Sequence, residues 1–263
     1  KANEFKSSIW IEKEERRVNA KSLLGVLSLG IVGGTTIRII ADGMTEGEGK
    51  WDQEKGFAVK SVTPAEGGSI VGIKPTEKVI FFYGDSITHG ASASRPGMTY
   101  PARLGRDNGL YCMNLGFSGM CKLQKEYARY LADIKDVDAF IFDAFSNPLA
   151  DVIYANFNEF VDIVRAAHPG VPMIFLQTER REVRNFSLKR EETEAAKQKA
   201  AKEVIAARMK TDKHVYFIDS EGFLGDEHIA TADGTHPTDL GFTYMLEVIS
   251  PKIKKILKKY GIR

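Results

Sequence analysis

The chain has 263 residues, 43% of them apolar and 27% charged, with a formal net charge of +2. That length holds one large domain, or one large and one small, and the apolar fraction excludes wholesale disorder. Thirty-seven basic against 35 acidic residues leave none of the excess that marks a nucleic-acid binder, two cysteines make neither a disulfide framework nor a zinc cage, and no apolar run reaches the roughly 18 residues of a membrane span.

The chain opens at Lys1 rather than Met, which reads as processing or as a cut through a longer protein. Within residues 1–75, SSIWIEK and TTIRIIA read as strands with one polar face. AKSLLGVLSLG between them reads as a short helix opened by Ser22, or as a turn. The Gly- and Glu-rich GMTEGEGKWDQEKG is expected to be a loop. This stretch is too short and broken for a second large core, so 1–75 is expected to be a small partial α+β or β segment with a linker.

From residue 76 the pattern changes. Five short runs, KVIFFY (78–83), YCMNLG (111–116), DAFIFDAF (138–145), PMIFLQT (172–178) and HVYFID (214–219), are apolar on both faces. Parallel strands buried under helices read this way. Helix-like stretches lie between and after them, at about 99–108, 122–134, 150–167, 189–210 and 239–259. In the last of these, Ile253, Ile256 and Leu257, with Tyr260 just beyond, share one face, so its lysines are expected in water. Strand–helix alternation predicts a doubly wound, mostly parallel sheet over 76–263. Such sheets bind ligands beyond the carboxyl ends of their strands, so the loops there are the place to look for chemistry.

The first of those loops is Gly84-Asp85-Ser86-Ile87-Thr88-His89-Gly90. A Ser just past a buried strand is placed for nucleophilic attack, or it is simply a helix cap. The loop before the last helix is Asp233-Gly234-Thr235-His236-Pro237. A Ser nucleophile needs a base, and His236 with Asp233 three residues away can supply base and orienter together. Asn114–Gly119 and Ser146-Asn147-Pro148 follow the second and third strands. Both offer the backbone N–H or side-chain amide donors that an oxyanion needs. Ser92, Ser94, Arg95 and Tyr100 could line a polar sugar pocket or form a solvated loop, and Arg180 and Arg184 follow the fourth strand within reach. His89 is expected at the rim rather than as the base. His168, His214 and His228 lack metal-ligand spacing, and Cys112 reads as core. No metal or cofactor is expected.

In this order and at these separations, GDSITHG, NLGFSGMC, DAFSNP and DGTHP resemble the SGNH hydrolase superfamily of GDSL-type esterases and lipases, over about 78–259. Segments such as SITHGASASRPGMTYPARLG and GFLGDEHIATADGTHPTDLGF look more narrowly like a GDSL-like acylhydrolase branch associated with carbohydrate deacetylation. The resemblance implies a flavodoxin-like three-layer α/β/α sandwich on a five-stranded sheet. It implies Ser86 as nucleophile, His236 as base and Asp233 as its orienter. The Ser86 N–H, Gly119 and Asn147 would form the oxyanion hole. Gly119 is preferred to Gly116 because the Ser-Gly pair aligns better. The third block departs from the family in reading Ser-Asn-Pro where many members have Gly-x-Asn-Asp. The expected activity is hydrolysis of short acetyl esters, on a small molecule or oligosaccharide, with Arg95, Tyr100 and Arg180 binding substrate. A lipid acyl hydrolase or thioesterase, or a non-catalytic regulatory module, are the alternatives. No nucleic-acid or membrane partner is expected.

Residues 1–44 resemble the second half of the HPr phosphocarrier of bacterial sugar transport, most specifically in VNAKSLLGVLSLG. By that resemblance Ser22 falls on the family's regulatory phosphorylation site. The half that would carry the active-site His is absent, so no phosphocarrier activity is expected. The resemblance implies sugar-transport regulatory proteins as partners and a cytoplasmic location, with a processed secreted form as the alternative.

Overall fold

The computed structural model describes the backbone of five N-terminal strands and residues 78–262 in full. The chain divides into two units, 1–74 and 75–263. The strands of the first unit are β1 (Ile9–Lys13), β2 (Arg16–Asn19), β3 (Thr36–Ala41), β4 (Met44–Asp52) and β5 (Gly56–Val59). They form one antiparallel sheet in the order β2-β1-β3-β4-β5. The strands expected from SSIWIEK and TTIRIIA are present. The expected loop over GMTEGEGKWDQEKG is corrected: most of it is β4. Gly49 pairs with Ile37 on one side and Val59 on the other. Backbone ladders on both edges outweigh the weak strand preference of Gly and Glu. The helix or turn expected around Ser22 lies outside the described residues.

The second unit carries β6 (Val79–Gly84), α1 (Ser86–His89), α2 (Tyr100–Asn108), β7 (Tyr111–Gly116), α3 (Lys125–Asp133), β8 (Ala139–Asp143), α4 (Ala150–Ala167), β9 (Met173–Leu176), α5 (Leu188–Met209), β10 (Val215–Ile218) and α6 (Asp239–Lys258). Its sheet runs β7-β6-β8-β9-β10, and every pair is parallel. The order reverses between β6 and β8, which opens a crevice above their carboxyl ends. The unit is the flavodoxin-like three-layer sandwich.

Side chains alternate across a strand, so each buried strand feeds two cores. Tyr83, Phe140, Phe142, Met173 and Phe175 point to a layer closed by α3, α4 and α5. There Phe142 stacks on Phe175 at 4.7 Å between ring centroids and meets the edge of Phe160 at 5.7 Å. Ile80, Phe82, Ile141, Ile174 and Leu176 point the other way, to α2 and α6. The same two faces explain the doubly apolar runs. α6 buries Ile253 and Leu257, and its lysines stay outside.

Candidate active site

β6 delivers Ser86 to the crevice. The chain leaves the strand at Gly84, and the Asp85 carboxylate accepts the Ile87 N–H at 2.8 Å, which starts the short helix α1. Ser86 is its first residue, so its N–H has no acceptor within the helix. The Ser86 Oγ lies 2.9 Å from Nε2 of His236, 150 residues later in the chain. Ser86 is 8% exposed, enough to face the crevice and little enough to exclude bulk water.

His236 is held from behind. Its Nδ1 lies 2.6 Å from Asp233 Oδ2, and its backbone N–H donates to Asp233 Oδ1 at 2.7 Å. The Thr235 N–H donates to that same oxygen at 2.9 Å. Burial would raise the Asp233 pKa, but these donors and the imidazole outweigh it and hold the carboxyl down at about 2. Asp233 is therefore ionised across the working pH range. A carboxylate on Nδ1 keeps the proton there and leaves Nε2 free to accept from Ser86. Val183 donates its N–H to Gly234 O at 3.0 Å, which ties the Asp233–His236 loop to the segment after β9.

One glycine ends β7 and another follows it, and the structure separates their tasks. A Cβ on Gly116 would lie 2.1 Å from the His89 backbone nitrogen, so this position must stay bare for α1 to pack. The Gly116 N–H is already donated to Asn114 Oδ1. Gly119 has a φ of +74° and open space where a Cβ would be, and among the described residues its N–H has no acceptor. Asn147, after β8, donates one amide proton to Met120 O at 2.7 Å. That bond ties the Asn147 loop to the Gly119 loop and leaves a second amide proton for a ligand.

The remaining expected residues are scattered. Arg95 is exposed and donates to Ser94 Oγ at 3.1 Å, and Ser94 is itself hydrogen-bonded to Asp239 at the start of α6. Tyr100, expected in a polar substrate pocket, is a correction: it is fully buried. Its ring packs on Phe82 and Phe242, and its hydroxyl meets Thr88 Oγ1 at 2.8 Å. As the first residue of α2 it sits on the face turned to the sheet. Arg180 is exposed and borders an open cavity with Arg184 and Phe186. His89 is exposed, whereas His168, His214 and His228 are bonded to Leu131 O, Tyr260 and Glu182. Cys112 is half-buried, and Cys121 is fully buried with its thiol near Asp143 O.

A buried ionic network beneath the site is absent from the expected set. Arg181 and Lys197 both donate to Ser146 O, at 3.2 and 3.0 Å, one residue before Asn147. Arg181 also donates to Glu179 at 3.2 Å, and Lys197 to Glu194 at 2.9 Å. Glu179, Glu194 and Lys197 are each less than a tenth exposed. A spacing of three on α5 was the only trace of the Glu194–Lys197 pair in the sequence. Replacing Lys197 with Met leaves the buried Glu194 with Arg181 alone, at 3.7 Å, and removes one of the two donors to Ser146 O, so the unfolding free energy is expected to fall by about 3 kcal/mol, the lower end for a broken buried pair, in a urea melt. A loss below about 1 kcal/mol would show the pair to be dispensable.

Three carboxyls crowd here. Burial pushes Glu179 up to about 7 against the pull of Arg181. Burial likewise raises Asp85, and it raises Asp143 with added repulsion from Asp85 and Glu179. A carboxyl whose pKa is raised by folding binds more protons in the native state, so stability falls as pH rises between the unfolded and folded values. Asp233, shifted the other way, acts only below its ordinary 3.8. The melting temperature is therefore expected to be higher at about pH 5 than at about pH 8. A flat or opposite slope would show that folding does not hold these carboxyls protonated. Among the described residues no cluster of three or more His, Cys, Asp or Glu is arranged to hold a metal ion.

Comparison with known proteins adds two families. Residues 77–254 match the model of the GDSL-like Lipase/Acylhydrolase family, and residues 1–49 match that of the PTS HPr component phosphorylation site. A candidate GDSL-like lipase from Bacteroides ovatus is 35% identical, with a TM-score of 0.70 over 96% of this chain and 74% of its own. A family two carbohydrate esterase from Clostridium thermocellum, solved with cellohexaose, shares the fold at 15% identity, with a TM-score of 0.65 over 96% of this chain and 86% of its own. The HPr-like protein Crh of Halalkalibacterium halodurans is 51% identical over 47 residues, 18% of this chain. That of Bacillus subtilis is 45% identical over the same length and share. The chain spans about half the length of these curated relatives, 56% and 55%.

Proposed function

The chain belongs to the GDSL-like lipase/acylhydrolase family, and from there we propose that it removes short acyl groups, acetyl above all, from a carbohydrate through a Ser86 acyl-enzyme. It is an ester hydrolase of the SGNH type. The observation that carries the mechanism is the line of hydrogen bonds from Ser86 Oγ through the His236 ring to Asp233.

His236 Nε2 takes the Ser86 proton as Oγ adds to the ester carbonyl. The oxyanion forms between the Ser86 and Gly119 N–H groups and the free Asn147 amide proton. The imidazolium, stabilised by ionised Asp233, returns its proton to the leaving alcohol. His236 then takes a proton from water, whose oxygen attacks the acyl carbon, and the collapse of that second intermediate restores Ser86. The buried bonds from Arg181 and Lys197 to Ser146 O hold Asn147 where the charge develops.

The carbohydrate assignment rests on the motif resemblance, with support from the charged and hydroxyl-bearing residues among those lining the cavities around the Asp233–His236 loop. Aryl esters of rising chain length, assayed beside acetate release from acetylated oligosaccharides, test it. Fastest turnover of acetyl esters with acetate release is expected. A rate that climbs with chain length would replace this reading with a lipid acyl hydrolase. No turnover of any ester would favour a binding module. For the N-terminal unit we propose a regulatory tie to sugar transport, with Ser22 as a phosphorylation site and the cytoplasm as the location. Ser22 lies outside the described residues.

A further inference from the structure

A cavity of about 530 Å³ shares a wall with the Asp233–His236 loop, through Thr235. Its opposite wall is the start of α5, with Lys189, Arg190, Thr193 and Glu194. Glu194 is 8% exposed, and one of its oxygens is already committed to Lys197. The other, Oε2, is buried and has no hydrogen-bond partner among the described residues. A buried carboxylate oxygen left bare is costly, and a ligand hydroxyl is the group that would satisfy it. Lys189 and Arg190 are exposed, and neither forms an ion pair among the described residues. Arg184 nearby is by contrast paired with Glu191.

The wall thus offers two unpaired cations and, deeper in, an acceptor that lacks a donor. Neutral glycans would use the acceptor and the threonine hydroxyls and leave the cations idle. An alkyl chain would use none of them. We propose that this cavity is the acceptor subsite of the esterase and takes an acidic sugar, whose carboxylate or phosphate meets Lys189 and Arg190 while a ring hydroxyl donates to Glu194. The inference rests on the carbohydrate-esterase reading and narrows its substrate class. A guanidinium beside an ammonium suits either anion, and charge-assisted bonds of this kind weaken with salt.

Calorimetric titration of the full chain with glucuronate, glucose 6-phosphate and glucose tests this directly. At least one acidic sugar is expected to bind about tenfold or more tighter than glucose, and the preferred acid identifies the anion. The Lys189→Gln, Arg190→Gln double variant is expected to bring acidic and neutral sugars within about twofold of each other. Equal affinities in the unaltered chain, absence of binding by both acids, or a preference that survives the double variant would each overturn the proposal. Aryl acetate turnover is read on the same sample. Selective acid binding without turnover would overturn the esterase reading and leave the cavity's charge selectivity established.

Discussion

Replacing Ser86 with alanine is expected to lower kcat for an aryl acetate by at least about 10⁴-fold, because the acyl-enzyme can no longer form. The residual rate would come from the oxyanion donors and from binding alone. KM is expected to change little, since the Oγ bonds covalently to the acyl carbon only after the substrate is bound. Ser86 makes its side-chain hydrogen bond to His236 and none that holds the fold, so the variant should remain folded. Folding can be checked by its melting temperature. A folded variant within about tenfold of the parent rate would remove Ser86 from the chemistry.

Asp233→Asn is expected to have the second largest effect, a fall in kcat on the order of 10³–10⁴. An amide removes the charge that stabilises the imidazolium. It can also present its NH₂ to Nδ1, which turns the imidazole to the wrong tautomer. The side chain of Asp233 is 52% exposed, so water supplies part of the missing stabilisation and the lower end of that range is expected. The loop itself depends less on the charge, since the remaining carbonyl oxygen can still accept the Thr235 and His236 N–H groups. A fall of less than about tenfold would mean that His236 is oriented by something else.

Much of the second unit was legible because its central strands are buried on both faces, whereas the edge strand β7 is partly exposed. Runs such as 138–145 and 172–178 have no polar alternation to confuse, and their ends match β8 and β9 closely. The helices over 150–167 and 189–210 were legible from length and composition. Ser86, His236 and Asp233 stood out because they occupy strand-end loops at opposite ends of that unit, and the structure brings them within hydrogen-bonding distance.

The misreadings, and the ionic pair that was missed, have physical causes. Tyr100 follows a polar loop, and nothing local shows that the first residue of α2 turns inward to Phe82 and Phe242. Glu194 and Lys197 sit in a run of charged residues that reads as a wet helix face. A charged pair three apart looks the same whether solvated or buried, and only the approach of Ser146 O makes this one buried. β4 was hidden because Gly and Glu carry no strand preference, and its pairing partners lie elsewhere in the chain.

The central claim is that Ser86 is the acylated nucleophile. Its most direct measurement is peptide mass spectrometry of the full chain after reaction with an aryl phosphonate, which stops at the phosphonylated serine. One label per chain, on the peptide carrying Ser86, is the result expected of this mechanism. A label on another residue, or an unlabelled chain that still hydrolyses esters, would contradict it.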